Sequence, residues 1–249
     1  MPPTLSHLDR CKALLDQHRP LPPAMVKNLH DDLVLRWTYH SNAIEGNTLT
    51  LMETKVVLEG ITVGGKSLRE HFEAVNHVEA IGYLEDCIRQ QQPLAERLIK
   101  EMHQLILTKI DNDNAGSYRK VEVLIAGASH RPPSHLQVGE EMAAFFRWYQ
   151  DEAQTLHPVV RAALVHSRFV NIHPFVDGNG RTSRLLLNFE LMKAGFPPVI
   201  IEVGQRLAYY QALDQAAAGD EEPFVALIAE AAKKAFANYW FVLGIKAPE

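Results

Sequence analysis

The sequence predicts an all-α, mostly helical domain with one short β-hairpin flap. Three observations carry that expectation. Apolar residues recur at helical spacing through most of the chain. Proline and glycine punctuate these runs about every helix length. Only Val121-Glu122-Val123-Leu124-Ile125 is short and β-rich.

The elements follow in order. Leu8, Cys11, Leu14 and Leu15 place one helix between Leu5 and Leu15. His18-Arg19-Pro20-Leu21-Pro22-Pro23 breaks it, because proline cannot continue a helix and pushes its predecessor to extended geometry. A second helix runs from about Ala24 to about Ala43 on the stripe Met25, Leu29, Leu33 and Trp37. It stops at Glu45-Gly46-Asn47, where glycine suits a helix C-terminus. Thr50, with Glu53 three residues on, caps a third helix. After a turn at 60–65, a long helix spans about Ser67 to Gln91, Pro93 ends it, and Leu94 to Lys109 forms the next. The 111–117 stretch is a loop by composition. The 121–125 run, closed by Gly127 and Pro132-Pro133, reads as a hairpin or flap. Helices resume at about Val138–Gln154, Val159–Ile172, Gly180–Gly195, Leu207–Gly219 and Glu222–Leu243. With no repeat, low-complexity tract or linker, residues 1–65 form an N-terminal helical region packed as one unit with a core at 66–249.

Composition narrows the function. At 249 residues the chain can bury a core without staples, and 25 basic against 30 acidic residues leave a net charge of −5. That balance argues against nucleic-acid binding and against a basic membrane surface. Two cysteines, Cys11 and Cys87, are too few for a disulfide framework or a Cys-rich zinc site. No secretory signal or membrane-length apolar run is evident, so the expected location is cytoplasmic. His130, His135, His157 and His166 lack metal-ligand spacing and read as flap, surface and core residues.

The chemistry concentrates in His173-Pro174-Phe175-Val176-Asp177-Gly178-Asn179-Gly180-Arg181-Thr182-Ser183-Arg184. Gly178 and Gly180 let backbone N–H groups point inward at a helix N-terminus, a ready anion site. Arg181 and Arg184 sit on the first turn, where cations oppose the helix dipole unless an external anion is present. A polyphosphate supplies that anion. Asp177 is an oxygen ligand suited to a Mg²⁺ bridging two phosphates, and His173 can serve as a base for an attacking hydroxyl.

This segment resembles the signature of the Fic family, H-P-F-x-[DE]-G-N-G-R-x-x-R, at every fixed position. Gly116-Ser117-Tyr118-Arg119, with the 121–125 run and Pro132-Pro133, is similar to the family's flap. Ala208-Tyr209-Tyr210-Gln211-Ala212-Leu213 is similar to its nucleotide-base pocket. Ser41-Asn42-Ala43-Ile44-Glu45-Gly46-Asn47 resembles the inhibitory motif [ST]-x-x-x-E-[GN] of its self-restrained subclass, which includes the metazoan endoplasmic-reticulum enzyme. This chain is expected to be a short, soluble relative without a membrane anchor.

The resemblance implies transfer of AMP from ATP to a Ser, Thr or Tyr hydroxyl of a target protein. It casts His173 as the base and Asp177 as the ligand of Mg²⁺ (or Mn²⁺). Asn179 donates to the α-phosphate, and Gly178 and Gly180 offer backbone N–H groups. Arg181 reaches the β-phosphate and Arg184 the γ-phosphate. Val123 and Leu124 pair with a target segment as an added strand. Glu45, with Ser41, belongs to the restraint, and the Glu45 carboxylate pairs with Arg184, bidentate if geometry allows. The same glutamate can orient water to remove AMP. Asn188, Tyr209 and Tyr210 are candidates for the nucleotide pocket, each also readable as an ordinary helix or core residue. Ala217 stands where the animal relative has a base-contacting asparagine, so UTP, GTP or CTP stay open beside ATP. Other readings are a kinase-like or phosphocholine-transferring enzyme, or a nucleotide-bound regulatory module. The Leu8–Leu15 and Met25–Trp37 stripes are packing faces or a homodimer surface.

Overall fold

A computed structural model describes residues 3–125 and 128–248. Ten α-helices account for most of them: α1 (Pro3–Asp16), α2 (Pro23–Ile44), α3 (Leu51–Leu58), α4 (Leu68–Arg89), α5 (Glu96–Leu107), α6 (Val138–Asp151), α7 (Pro158–Ile172), α8 (Asn179–Lys193), α9 (Arg206–Ala217) and α10 (Glu222–Leu243). Short 3₁₀ turns at Ala153–Thr155 and Val203–Gln205 extend α6 and introduce α9.

Local chemistry explains the boundaries. Pro23 and Pro158 stand in the first turns of α2 and α7, where a missing N–H costs nothing. Thr50 and Glu53 form a reciprocal capping box on α3, as expected, and Ser67 and Glu70 form a second one on α4. Gly46 and Gly244 take positive φ just beyond α2 and α10, a conformation that stops a helix at little cost to glycine.

Two large clusters share α7 and α8, and a small third one, Leu49, Val57 and Ala74, seats α3 on α4. In one large cluster, Leu84, Met102, Phe145, Phe169 and Phe189 join α4, α5 and α6 to the central pair. In the other, Leu8, Leu15, Leu187, Tyr209, Phe224 and Phe236 join α1, α9 and α10 to it. Leu8 and Leu15 are fully buried, so the α1 stripe is spent inside the molecule rather than offered to a second copy. From Asn179 to Leu191, α8 is buried except for partial exposure at Gly180, and it carries Arg181, Arg184, Asn188 and Glu190 into the interior. A helix buried all round with polar groups must find a partner for each. Glu190 meets Arg161 at 2.7 Å and the Tyr149 hydroxyl at 2.8 Å.

The expected hairpin is not formed: among the described residues there is no strand. Gly127, one of its expected closing residues, lies outside them. The 121–125 arm is extended without a ladder, and the return leg carries Pro132-Pro133, which have no N–H to donate. Side chains hold the legs instead. Glu122 accepts from Ser134 Oγ at 2.8 Å and lies 2.7 Å from His135 Nδ1, while Asp214 of α9 accepts from Ser129 Oγ at 3.1 Å.

Because α1 closes the same core as α10, Leu8→Ala is expected to cost about 3 kcal/mol. Urea unfolding checks this: the midpoint falls with an unchanged slope, and an unaffected midpoint would show that α1 packs only peripherally.

Candidate active site

The site lies where α7 gives way to α8. His173 closes α7 in the left-handed conformation, φ 51° and ψ 58°, uncommon for a residue other than glycine or asparagine. Its ring lines a cavity of about 270 Å³ shared with Glu45, Gly180, Arg206, Tyr209 and Tyr210. His173 Nδ1 lies 3.2 Å from the Val170 carbonyl, which can only accept. Nδ1 therefore carries the proton, and Nε2 is left as the acceptor. Burial pushes this imidazole down to about 4, the Val170 contact opposes the fall and the Arg119 charge adds to it. At neutral pH the ring is uncharged, as a general base must be.

The loop after His173 is shaped by its own side chains. Asn179 Oδ1 accepts from the Phe175 N–H at 2.9 Å and its Nδ2 donates to the Phe175 carbonyl at 2.8 Å. The amide oxygen and one of the two Nδ2 hydrogens close the loop, which leaves Asn179 a second Nδ2–H and its backbone N–H as donors. Gly178 needs its flexibility, with φ 75°, and its N–H already donates to Asp177 Oδ1 at 2.6 Å. His103 stacks on Phe175 with centroids 3.5 Å apart. Its Nε2 donates to the Asp177 carbonyl and its Nδ1 accepts from the Gly116 N–H, both at 2.9 Å.

The first-turn N–H groups of α8 have no intrahelical partners. Glu45, the residue that ends α2, lays its carboxylate against that turn. A methyl group on Gly180 would collide with Glu45 Oε1, so the bare α-carbon is what admits the carboxylate. Glu45 Oε1 also lies 2.7 Å from Arg184 Nη2. The contact is single rather than bidentate: Nη2 also donates to the Ser41 carbonyl at 2.8 Å, and the other two guanidinium nitrogens donate to hydroxyls. Arg184 Nε donates to Ser41 Oγ at 3.0 Å, and Nη1 donates to the Tyr209 hydroxyl at 3.3 Å.

Arg181 is buried between Glu73, 3.3 Å away, and Asp177, 3.2 Å away. Nη1 faces Glu73 Oε1 as an ion pair without hydrogen-bond geometry, and Nε finds no hydrogen-bond acceptor among the described residues, which leaves Nε as a buried donor suited to a phosphate oxygen. Asp177 is also clamped by Arg69 from α4. Burial works to raise its carboxyl, but Arg181, the Gly178 N–H and Arg69 outweigh it and hold the group below its usual range. Two guanidinium groups thus stand where a divalent cation would meet this carboxylate.

The structure therefore brings His173, Gly180, Arg181, Arg184, Glu45, Ser41 and Asp177 together. Tyr209 lines the cavity but is buried, with its hydroxyl 3.0 Å from His166 Nε2. Tyr210 also lines it, donates to the Ile44 carbonyl at 3.2 Å and carries Arg206 over its ring at 5.4 Å. Leu124 is 80% exposed at the cavity rim, and Val123 beside it is half-buried. Asn188 is elsewhere: its amide exchanges two 2.8 Å hydrogen bonds with the Val199 backbone, and it pins that loop rather than facing the cavity. A larger cleft of about 530 Å³ between α2 and α10, lined in part by Leu29 and Leu33, lacks a glycine loop and a helix N-terminus aimed into it.

Arg69, Glu73 and His103 escape a reading of the sequence, which includes Arg119 only as part of the flap-like stretch 116–119. Of the three missed residues, Glu73 alone leaves a signal there. It shares the buried stripe of α4 with His77, Ala80 and Leu84, and an acid on such a stripe requires a partner.

Comparison with known proteins agrees with this geometry. The Fic/DOC family model matches residues 93–191. A solved structure of Fic-1 from C. elegans superimposes with a TM-score of 0.87 at 33% identity, covering 97% of this chain and 72% of that one. A Fic domain containing signaling protein from Bacteroides thetaiotaomicron gives 0.89 at 30% identity, covering 98% and 99%. The chain belongs to the Fic family. It is 44% identical over 203 residues to the protein adenylyltransferase Fic of Drosophila melanogaster, a match covering 81% of this chain and 41% of that protein.

Burial holds His77 near 3, and His103 and His173 near 4, so all three stay neutral in the folded protein. The unfolded chain takes up those protons below about pH 6.5, so the folded state loses stability on acidification, by about 1.4 kcal/mol per pH unit for each ring. Urea midpoints measured from about pH 7 down to about pH 5 should fall steadily, and a flat profile would contradict the neutral assignment.

Proposed function

We propose that this chain is a protein adenylyltransferase, moving AMP from ATP to a hydroxyl of a target protein and restrained by Glu45. The observation that carries this reading is the Glu45 carboxylate: it occupies both the first turn of α8 and the Arg184 guanidinium, the two groups best suited to a terminal phosphate. ATP then binds without its γ-phosphate on Arg184, in an unproductive pose.

In the released state, the hydroxyl oxygen of the target attacks the α-phosphorus and its proton passes to His173 Nε2. The bond to the bridging oxygen breaks, and pyrophosphate leaves. The α8 N-terminus, Arg181 and Arg184 hold the negative charge that builds on it. Mg²⁺ (or Mn²⁺) would be held by Asp177 only on displacing the Arg69 and Arg181 guanidinium groups that now contact its two oxygens. Among the described residues no cluster of three acidic, histidine or cysteine side chains could hold a metal unaided. Asp177 offers one carboxylate, and Mg²⁺ commonly binds through one or two carboxylates plus substrate phosphates. The bound ion would neutralise phosphate charge.

Tyr210 and Arg206 flank the space for the base, and Leu124 at the rim supports docking of the target on the 121–125 arm. Glu45 and His173 face the same cavity, which supports removal of AMP by a water that Glu45 orients. Among the described residues no helix is long and apolar enough to cross a membrane. Two buried, unpaired cysteines fit a cytoplasmic location, and the half-buried Leu29 and Leu33 of α2 offer a surface for a second copy.

Labelled ATP tests the reading, with self-modification as the readout. Label from the α-phosphate, absent from the γ-phosphate, should appear on Glu45→Gly far more strongly than on the wild type. Adding His173→Ala should abolish it while ATP still binds. Label from the γ-phosphate would make the protein a kinase. Equal labelling of wild type and Glu45→Gly would remove the restraint from the account.

A further inference from the structure

Arg119 is a buried cation outside the nucleotide site. Its side chain is fully buried, and its nearest carboxylate is the exposed Glu122, 3.7 Å away. A charge in that position must be met by other acceptors. Arg119 finds them on three separate pieces of backbone. Nε donates to the carbonyl of His173 at 2.9 Å. Nη1 donates to the Val121 carbonyl at 3.1 Å, at the start of the docking arm. Nη2 donates to the Pro133 carbonyl, where the return leg ends. The Arg119 backbone N–H holds the next carbonyl of the catalytic loop, Pro174, at 2.9 Å.

The start of the arm, the end of the return leg and the peptide that follows His173 therefore share one rigid, planar group. The arm has no ladder of its own to fix it, and His173 sits in a backbone conformation that its surroundings must impose. We infer that Arg119 is a positioning residue that couples the docking arm to the general base, setting His173 at the right distance from a hydroxyl held on residues 121–125. The inference rests on the transferase reading and deepens it. In-line attack tolerates little misplacement of the base, so the effect falls on turnover rather than on nucleotide binding.

The buried charge gives a second readout. The titratable and charged groups around the His173 imidazole are Arg119, Glu45 from α2, Asp177 from the loop, His130 from the return leg, and Arg206, Tyr209, Tyr210 and Asp214 from α9. Of these, Arg119 disfavours the protonated ring, whereas Glu45 and Asp177 favour it. Removing the Arg119 charge should move the acid limb of the rate profile to higher pH.

The test uses Glu45→Gly as the parent and compares Arg119→Met and Arg119→Lys in that background. Self-modification is measured with α-labelled ATP at saturation across pH, alongside ATP binding and thermal melting. Both variants should bind ATP as the parent does and label roughly tenfold more slowly or worse. The acid limb should move to higher pH in Arg119→Met and stay in place in Arg119→Lys. Parental labelling rates, an unmoved limb in Arg119→Met, or loss of ATP binding together with transfer would each overturn the coupling. If Arg119→Met does not fold, Arg119→Lys decides through its rate and its ATP affinity. No label from the parent would overturn the transferase reading, and this inference with it, whereas a labelling parent with indifferent Arg119 variants overturns this inference alone.

Discussion

A guanidinium with no route to water has to be met by acceptors, and Arg184 is met by three residues. Ser41 supplies a hydroxyl and a carbonyl, Tyr209 a hydroxyl, and Glu45 the one carboxylate. Only Glu45 neutralises the charge. Removing one partner of a buried ion pair commonly costs about 3–5 kcal/mol. Glu45 keeps 33% of its side-chain surface, so its removal falls below that range. The hydrogen bonds from Ser41 and Tyr209 hold Arg184 in place whether or not Glu45 is there. The Glu45 carboxylate therefore occupies a prepared anion site rather than distorting it.

That arrangement explains features that are otherwise odd. Glu45 ends α2, where the helix dipole disfavours a carboxylate, yet it lies against the N-terminus of α8, where one is favoured. Gly180 has no side chain at the one point where a β-carbon would block this approach. The terminus of α2 is also held from the α4 side. Asn42 donates to the Glu73 carbonyl at 3.2 Å, and Asn47 donates to Glu73 Oε2 at 2.9 Å. Glu73 in turn pairs with Arg181 and Arg69, and Arg69 reaches Asp177. Two asparagine amides at the end of α2 thus join a set of charges, Arg181, Glu73 and Arg69, that reaches Asp177.

Much of this was legible in the sequence, for local reasons. The loop from His173 to Arg184 and the Ser41–Glu45 pair are contiguous patterns, and their side chains do meet. The Thr50–Glu53 capping box and the bounds of α10 follow from neighbouring residues alone. What escaped depends on distant partners. Arg69 meets Asp177 across 108 positions, His103 meets the same residue across 74, and Arg119 meets His173 across 54. Asn179 enters as a phosphate donor through the family resemblance, and Asn188 as a pocket candidate or an ordinary helix residue. The Phe175 and Val199 backbones each hold one of these amides, contacts that no local pattern announces. The 121–125 run has the composition of a strand, but strand formation needs a partner with donors, and the return leg supplies prolines instead.

The central claim is that one carboxylate stands where the terminal phosphate of the nucleotide belongs. Crystal structures of the wild type and of Glu45→Gly with Mg²⁺ and a non-hydrolysable ATP analogue test it most directly. The account predicts the γ-phosphate on Arg184 in Glu45→Gly, and in the wild type an intact Glu45–Arg184 pair with the γ-phosphate turned away. A wild-type complex with the γ-phosphate on Arg184, and Glu45 still in contact with it, would contradict the claim.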